Sequence, residues 1–212
     1  MYEYEHDLLN RGFKHICGVD EAGRGPLAGP VFAGAVILDP KFVIVGLNDS
    51  KKLTHRKRLE LTELIKKHAL AYGIAKIGED EIDRINIYQA SKKAMLEAIA
   101  ICIIKPDFIL SDAMPLKETD IPSLPIIKGD QLSASIAAAS ILAKTARDEY
   151  MVKMSELYPG YGLETHKGYP TKMHLEAIEK YGVLPIHRKT YKPIKNRLKQ
   201  QLALDLGDGE DE

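Results

Sequence analysis

Four acidic residues lie in segments where an isolated charge would be costly. Asp20 and Glu21 follow the run Ile-Cys-Gly-Val, Asp112 follows Phe-Ile-Leu-Ser, and Asp130 follows Ile-Ile-Lys-Gly. An ionised carboxylate in apolar surroundings needs a partner or a cation. Carboxylate oxygens without supporting Cys or His pairs favour Mg²⁺ or Mn²⁺ over zinc. Two such ions about 4 Å apart can activate a water and stabilise the leaving oxygen of a phosphodiester.

Each acid, taken alone, also fits a turn, a helix cap or a surface charge. Asp20 and Glu21 are adjacent, and neighbouring residues on a strand face opposite ways. We therefore expect both acids to follow the first strand, with the chain ending or twisting there. The nearby glycines give the backbone freedom for such a distortion, and they are Gly18, Gly23 and Gly25.

Asp148 is a rival to Asp130 as the fourth acid of the set. It stands beside Arg147, two to three turns further along a helix, where basic residues are neighbours. A structural ion pair is the favoured interpretation there. We therefore leave Asp148 out of the predicted catalytic set.

Apolar runs bounded by Gly and Pro predict the elements that would position these acids. The predicted strands cover residues 15–19, 30–38, 69–77, 108–110 and 124–127. Helical spacing of apolar residues predicts helices over residues 54–68, 95–102, 132–146, 171–181 and 193–202. The 132–146 helix has a face of small residues, which permits close packing on a sheet. This order predicts an α/β fold with a mixed five-stranded sheet and a small helical C-terminal extension.

Length and charge limit the organisation and the partners. The 212 residues, 45% of them hydrophobic, fit one domain over residues 1–204, with its helical part from about residue 155. An acidic tail, residues 205–212, is expected to be disordered. The net charge is zero, but residues 144–199 hold twelve basic against six acidic residues. Such a density can follow a phosphate backbone, and the alternative is an ordinary solvated surface.

The cysteines and the apolar runs indicate the compartment. Cys17 and Cys102 lie in apolar segments without metal-ligand spacing, which fits core thiols in a reducing cytoplasm. The first ten residues lack the layout of a secretory signal. The longest apolar run, residues 98–104, is far shorter than the roughly 20 residues that cross a bilayer. We expect a cytoplasmic monomer without a membrane segment.

One continuous run carries a family resemblance. Residues 18–31, Gly-Val-Asp-Glu-Ala-Gly-Arg-Gly-Pro-Leu-Ala-Gly-Pro-Val, resemble the signature of the ribonuclease HII family. Similar blocks follow in the family's order at residues 49–53, 111–113, 128–130, 138–144, 147–148 and 166–169. The resemblance spans about residues 18–191. It implies a ribonuclease-H-like fold in which Asp20, Glu21, Asp112 and Asp130 form the metal-binding catalytic set.

The same resemblance implies an activity. The family cuts the RNA strand of RNA/DNA hybrids, and it cuts duplex DNA on the 5′ side of a single ribonucleotide, leaving 3′-hydroxyl and 5′-phosphate ends. A nuclease that separates RNA from DNA must read the 2′-hydroxyl. Gly23, Arg24 and Gly25 resemble the family's loop for this purpose, although alone they would also fit a tight turn between strands.

Two further groups are implied to contact the substrate. Tyr169 resembles the family tyrosine that stacks near the sugar at an RNA-to-DNA junction, although alone it would be a loop aromatic. Ser50, Lys51 and Lys52 resemble contacts to the phosphate backbone, because a hydroxyl and two ammonium groups supply donors.

Features of the sequence argue against three other functions. A dinucleotide-binding oxidoreductase is rejected, because the spacing of Gly23, Gly25 and Gly29 is one residue too long for its fingerprint. A noncatalytic nucleic-acid-binding module would have no reason to hold four placed carboxylates. The family ribonuclease HIII normally lacks the Gly-Arg-Gly loop and carries an additional N-terminal domain.

The segment Gln201 to Leu206, with the letters QLALDL, lies just before the acidic end of the chain. It resembles the short peptide by which bacterial repair proteins bind the replication sliding clamp. The alternative is the fraying end of an amphipathic helix.

Overall fold

The computed structural model describes residues 1–207. Its strands are β1 (Ile16–Ala22), β2 (Val31–Leu38), β3 (Ala69–Ile77), β4 (Phe108–Asp112) and β5 (Ser123–Ile126). Its helices are α1 (Glu3–Asn10), α2 (His55–His68), α3 (Glu79–Ile85), α4 (Ile87–Ile101), α5 (Gly129–Leu132), α6 (Ala134–Leu157), α7 (Leu163–His166), α8 (Lys172–Tyr181) and α9 (Lys192–Gly207). The sequence did not predict α1, α3, α5 and α7, which are short and lack a long apolar face.

The five strands form one mixed sheet in the order β3-β2-β1-β4-β5. The pairs of β1 with β2 and of β2 with β3 are antiparallel, whereas β1–β4 and β4–β5 are parallel. Alternate side chains of β2 pack on different layers, so that Ile37 joins the core beneath α4 and Val36 joins the core beneath α2 and α6. The predicted α/β fold with a five-stranded mixed sheet is confirmed.

Strand β1 extends further than the sequence predicted. Asp20 and Glu21 lie inside the strand, paired with Gly34 and Ala33 of β2, so the expectation that both acids would follow the end of the strand was wrong. Pairing with β2 maintains the extended backbone even where the apolar pattern stops. Strand β4 likewise continues to Asp112 instead of ending at residue 110.

Helix α6 crosses the sheet at very short range. A Cβ atom added to Gly18 of β1 would lie 2.0 Å from the carbonyl carbon of Ser135, and one on Gly34 of β2 would lie 2.4 Å from the carbonyl oxygen of Ala139. Backbone therefore packs directly against backbone, which confirms the predicted small-residue face. The helix does not begin at Leu132 as predicted, because the cap Ser133, which accepts the Ile136 N–H, separates α5 from α6.

Helix α1 fastens the start of α6. The buried carboxylate oxygen Oε1 of Glu5 accepts hydrogen bonds from the Ser133 hydroxyl at 2.6 Å and from the Ser135 hydroxyl at 2.7 Å. It also accepts the Ser135 backbone N–H at 2.9 Å. A negative group at this position satisfies an N–H that the helix itself cannot.

The C-terminal helices complete the molecule. Ile178 of α8 and Ile194 of α9 pack with Leu27 and Ala28, which lie between β1 and β2. Helix α9 continues to Gly207, past the expected start of the acidic tail at residue 205, and residues 208–212 lie outside the described part of the chain. No helix among residues 1–207 combines the length and the apolar character that crossing a membrane requires.

We predict that Gly18→Ala lowers the free energy of unfolding by about 3 kcal/mol, because the added methyl group overlaps the backbone of α6. Gly78→Ala is the matched control, since a Cβ there meets nothing within 4 Å and should cost less than about 1 kcal/mol. Urea unfolding followed by circular dichroism measures both. Equal losses in the two variants would contradict the close approach of helix and sheet.

Candidate active site

Three carboxylates converge where β1, β4 and α5 meet. One oxygen each of Asp20, Asp112 and Asp130 lies within 4.8 Å of the others. Asp20 and Asp112 follow the paired residues Val19 and Ser111 of two adjacent parallel strands. Asp130 is brought in by a backbone contact, because the N–H of Gly129 donates to Asp112 Oδ1 at 2.7 Å.

Glu21 lies beside this three-carboxylate cluster and is not one of its members. Its Oε1 atom pairs with Arg24 Nη1 at 3.3 Å. Its Oε2 atom is buried and has no hydrogen-bond partner among the described residues. A buried carboxylate oxygen without a donor calls for a ligand. Glu21 also donates its backbone N–H to Asp20 Oδ1 at 2.7 Å, which fixes the neighbouring acid.

Burial and mutual repulsion disfavour ionisation of the cluster. Burial, followed by the charges of Glu21 and Asp112, raises the pKa of Asp20 well above its usual value. Burial, followed by the charges of Asp112 and Asp49, raises the pKa of Asp130 to about 6. Both groups therefore hold their protons more tightly than free carboxyls do, and a nearby cation would reverse that effect.

The cluster fits a divalent cation on three grounds. Its donors are hard carboxylate oxygens close enough to share one ion. The buried Oε2 of Glu21 has no other partner among residues 1–207. The pKa of Asp20 and the pKa of Asp130 are raised by burial and then by neighbouring negative charge, and a cation would neutralise that charge.

A cleft of about 220 Å³ opens beside the acids. Its lining consists of Asp20, Glu21, Ala22, Gly23, Arg24, Gly25, Ser50, Lys51, Ser140, Lys144 and Tyr169. The cleft thus joins the predicted Gly-Arg-Gly loop, the predicted phosphate contacts Ser50 and Lys51, and the predicted tyrosine. Lys52 is exposed and lies outside this lining.

Lys51 extends toward the acids. Burial lowers the pKa of its ammonium group, but the carboxylates of Asp20, Asp49 and Asp130 outweigh burial, so that the pKa is raised. Asp49 also fixes the Lys51 backbone, whose N–H donates to Asp49 Oδ1 at 3.0 Å. Sequence reasoning had not assigned Asp49 a role, although its position beside Ser50 in a family-like block was a usable signal.

Helix α6 contributes residues that sequence reasoning missed. The Ser140 hydroxyl donates to Ser50 Oγ at 2.8 Å, and Lys144 lies in the cleft lining. Lys144 also pairs with Asp148 at 2.5 Å. Both residues belong to the family-like block 138–144, but helical spacing alone marks them only as positions on a packed helix.

Asp148 stabilises the framework of the cleft, that is, the hydrogen-bonded residues behind its lining. Its Oδ2 atom pairs with Arg58 Nη2 at 2.9 Å, and both side chains are buried. The same guanidinium donates from Nη1 to the Ser50 carbonyl at 3.1 Å. The predicted structural ion pair is confirmed, and it holds the loop that carries Ser50 and Lys51.

The Gly-Arg-Gly loop is held through its carbonyl groups by Arg188. This guanidinium is fully buried and donates to the carbonyls of Gly23 at 2.6 Å, Arg24 at 3.0 Å and Gly29 at 2.7 Å. Gly23 has φ +103°, and a Cβ there would lie 2.1 Å from Arg147 Nε. Only glycine fits that position.

Arg147 of α6 joins the segment that follows this loop to the segment before Tyr169. It donates to the carbonyls of Pro30 at 3.2 Å, Ala28 at 3.1 Å and Lys167 at 3.0 Å. Burial lowers its pKa to about 10, which still leaves it charged at neutral pH. Tyr169 lies beside this assembly, with the Arg147 guanidinium 5.9 Å from its ring centroid.

The sheet order and the carboxylate cluster at its two central parallel strands define the ribonuclease-H-like class of nucleases. The family model for ribonuclease HII matches residues 17–194, and the chain belongs to the ribonuclease HII family. It is therefore a nuclease of the hydrolase class. Membership of this family excludes the noncatalytic binding module considered from the sequence.

Individual relatives agree with this assignment. Ribonuclease HII of Acholeplasma laidlawii is 54% identical over 197 residues, which cover 93% of this chain and 96% of that protein. The crystal structure of ribonuclease H2 from Pyrococcus horikoshii superposes with a TM-score of 0.76 at 26% identity, covering 88% of this chain and 98% of the other. Ribonuclease HII from Archaeoglobus fulgidus, solved in complex with PCNA, gives a TM-score of 0.72 at 25% identity, covering 84% and 96%.

We predict that Asp130→Asn raises the melting temperature of the metal-free protein by about 2 to 4 °C, which corresponds to about 1 kcal/mol in a chain of this size. The amide keeps the shape of the carboxyl group while removing one of the repelling charges. Asp120→Asn, at an exposed acid, is the control and should change little. Differential scanning calorimetry in EDTA above neutral pH measures both. A melting temperature that falls in Asp130→Asn would show that repulsion does not dominate the cluster.

Proposed function

We propose that this chain cleaves the RNA strand of RNA/DNA hybrids and cuts duplex DNA on the 5′ side of a single ribonucleotide, leaving 3′-hydroxyl and 5′-phosphate ends. The observation that carries the proposal is the convergence of Asp20, Asp112 and Asp130 beside a cleft lined by the Gly-Arg-Gly loop and Tyr169. A phosphodiester bound in that cleft would lie next to the acids. The ribonuclease HII assignment favours this specificity over one of the ribonuclease HIII type.

The carboxylates would hold two divalent ions, Mg²⁺ or Mn²⁺. Asp20, Asp112 and Asp130 supply the converging oxygens, and the unpartnered Oε2 of Glu21 supplies a further donor. When bound, the ions would provide an activated water and charge to stabilise the leaving oxygen. The chain contributes rigid placement, because the backbone N–H groups of Glu21 and Gly129 fix the carboxylates of Asp20 and Asp112.

The ribose would lie between the glycine loop and Tyr169. A Cβ added to Gly25 would meet Tyr169 Cε1 at 3.5 Å, so glycine leaves the space between loop and ring open. A sugar placed there can bring its 2′-hydroxyl to the backbone of Gly23, Arg24 and Gly25. The tyrosine ring would then stack against the sugar that follows.

The flanking phosphates would be held by the loop of residues 50–52. Ser50 and Lys51 line the cleft, and Lys52 is exposed just beyond it. These side chains contact the backbone of the nucleic acid and therefore set its register without reading its bases. Arg58 and Ser140 keep this loop in place through their hydrogen bonds to Ser50.

The central test is cleavage of a DNA duplex that carries one ribonucleotide, with Mg²⁺ or with EDTA. We expect a cut 5′ of the ribonucleotide that requires the metal, and a loss of at least about 1000-fold in Asp130→Asn, since an amide binds divalent ions poorly. Gel mobility and end labelling identify the product ends.

One control variant and two refuting outcomes complete this test. Asp148→Asn removes a carboxylate of the framework, so residual activity with intact metal dependence is expected. Cleavage that persists in EDTA would refute the metal mechanism, and cleavage confined to long RNA tracts would refute the proposed roles of the loop and Tyr169.

We also propose that Gln201 to Leu206 binds the sliding clamp. The support is the resemblance of the letters to a clamp-binding peptide, together with the PCNA complex solved for the Archaeoglobus relative. These residues fall in the last turns of α9, and the side chains beyond Gln201 lie outside the described residues.

The clamp proposal predicts that a double substitution, Gln201→Ala with Leu202→Ala, abolishes binding to the bacterial clamp while cleavage is unchanged. Lys199→Ala is the matched control on the same helix and should retain binding. Surface plasmon resonance on immobilised clamp measures both, and full binding by the double variant would refute the proposal.

Residues 1–204 are proposed to work as a single catalytic domain, followed by the acidic residues 205–212. The packing of Ile178 and Ile194 against Leu27 and Ala28 supports this proposal, since it joins the C-terminal helices to the connection after β1. A monomer in the cytoplasm remains the expectation from the sequence.

A further inference from the structure

Three histidines are buried together behind Tyr169, and the reaction proposed above uses none of them. His166 is 8% exposed, whereas His174 and His187 are fully buried. The rings form a stack, with centroids 4.4 Å apart between His166 and His174 and 5.2 Å apart between His174 and His187. At this spacing, the protonation of one imidazole limits which nitrogen of its neighbour can carry a proton.

Hydrogen bonds determine which nitrogens carry those protons. The Leu184 backbone N–H donates to His187 Nδ1 at 2.7 Å, so His187 carries its proton on Nε2. This Nε2–H donates to His174 Nε2 at 3.1 Å. His174 must then be protonated on Nδ1, which donates to the carbonyl of Tyr169 at 2.9 Å. These three hydrogen bonds form one chain, the histidine relay, in which each group donates toward the carbonyl of Tyr169.

Both rings of the relay are neutral. Burial lowers the pKa of His174 to about 4 and that of His187 to about 4. A proton added to His174 would place two N–H groups face to face between the two Nε2 atoms, and a proton added to His187 would place its Nδ1–H against the Leu184 N–H, so either would break the relay. At neutral pH the relay is therefore intact.

The loop before Tyr169 needs such external support. Lys167 has φ +52° and Gly168 has φ +83°, both in the left-handed region, which is unfavourable for a lysine. His166 fixes one end, since its Nδ1 accepts the Gly168 N–H at 3.1 Å and its Nε2 donates to Tyr161 at 2.8 Å. His174 fixes the other end through the Tyr169 carbonyl.

We propose that His174 and His187 are positioning residues for Tyr169, and that they thereby set the preference of the enzyme for a single embedded ribonucleotide. This inference rests on the proposed contact of Tyr169 with the substrate sugar. The histidines never touch the substrate. They act by holding the backbone from which the tyrosine ring extends into the cleft, where Tyr169 is 39% exposed.

A matched pair of substitutions separates this role from simple packing. In His174→Asn the amide nitrogen takes the place of Nδ1 and still donates to Tyr169, but the contact with His187 is lost. In His174→Gln the amide oxygen takes the place of Nε2 and still accepts from His187, but the donation to Tyr169 is lost. Both variants shorten or replace a buried ring, and calorimetry reports how much stability each loses.

We expect His174→Gln to lower kcat/KM for the single-ribonucleotide duplex about tenfold, the scale of one lost hydrogen bond, chiefly through KM. The same variant should cut a long RNA/DNA hybrid within about twofold of wild type, because many other contacts hold that substrate. His174→Asn should stay near wild type on both substrates. Equal loss in both variants, or equal loss on both substrates, would overturn the proposal.

Tyr169→Ala distinguishes failure of this inference from failure of the proposed function. If Tyr169→Ala cuts the single-ribonucleotide duplex as well as wild type does, the proposed sugar contact is wrong, and the positioning role falls with it. If Tyr169→Ala is impaired but His174→Gln is not, only the positioning role is wrong. The expected result is that adding His174→Gln to Tyr169→Ala causes no further loss.

Nuclear magnetic resonance tests the relay without any substitution. Long-range proton–nitrogen spectra of the full chain at neutral pH should show His174 protonated only on Nδ1 and His187 only on Nε2. A proton on Nε2 of His174 would refute the relay even if the variants failed to fold.

Discussion

The active site depends on the close packing of α6 against the sheet. Helix and strands meet backbone to backbone at Gly18 and Gly34, where no larger residue fits. Gly18 lies two residues before Asp20, and α6 begins just after the short helix that carries Asp130. The distance between helix and sheet therefore sets the distance between two carboxylates of the cluster.

The same helix carries much of the framework around the cleft. Ser140 and Asp148 secure the loop of Ser50, directly or through Arg58, while Arg147 binds carbonyls on the glycine-loop side. A displacement of α6 would thus disturb the acids, the phosphate-binding loop and the sugar-binding loop together. This shared dependence explains why α6, whose first half consists mostly of small or apolar residues, is buried against the centre of the sheet.

Buried arginines and histidines stabilise the loops that face the substrate, in addition to the packing of α6. Arg188 donates to carbonyls of the glycine loop, Arg147 donates to the carbonyls of Ala28 and Pro30 just after it, and His174 donates to the carbonyl of Tyr169. A guanidinium suits this task because its fork of donors reaches several carbonyls at once. The substrate-facing segments can therefore consist of small or exposed residues, since their conformation is set from behind.

The sequence by itself determined the class of fold and the bounds of several elements, and it named the candidate acids. Strand β3 begins and ends where the sequence predicted, and α2 ends at His68 as predicted. Local patterns suffice in these cases because burial along one element follows directly from its own periodicity. For the candidate site, the family-like motif supplied the prediction, since it named acids that composition alone would have treated as surface charges.

Only the tertiary structure decided how these pieces combine. Pairing with β2 extended β1 through Asp20, and Glu5 of α1 bound the hydroxyl of Ser133, which caps α6. Asp20 entered the carboxylate cluster, whereas Glu21 stayed beside it. The roles of Arg188 and His174 were likewise invisible, because each acts on a backbone carbonyl far away or in a loop. Such contacts depend on which segments meet in space, and periodicity within a segment carries no information about its partners.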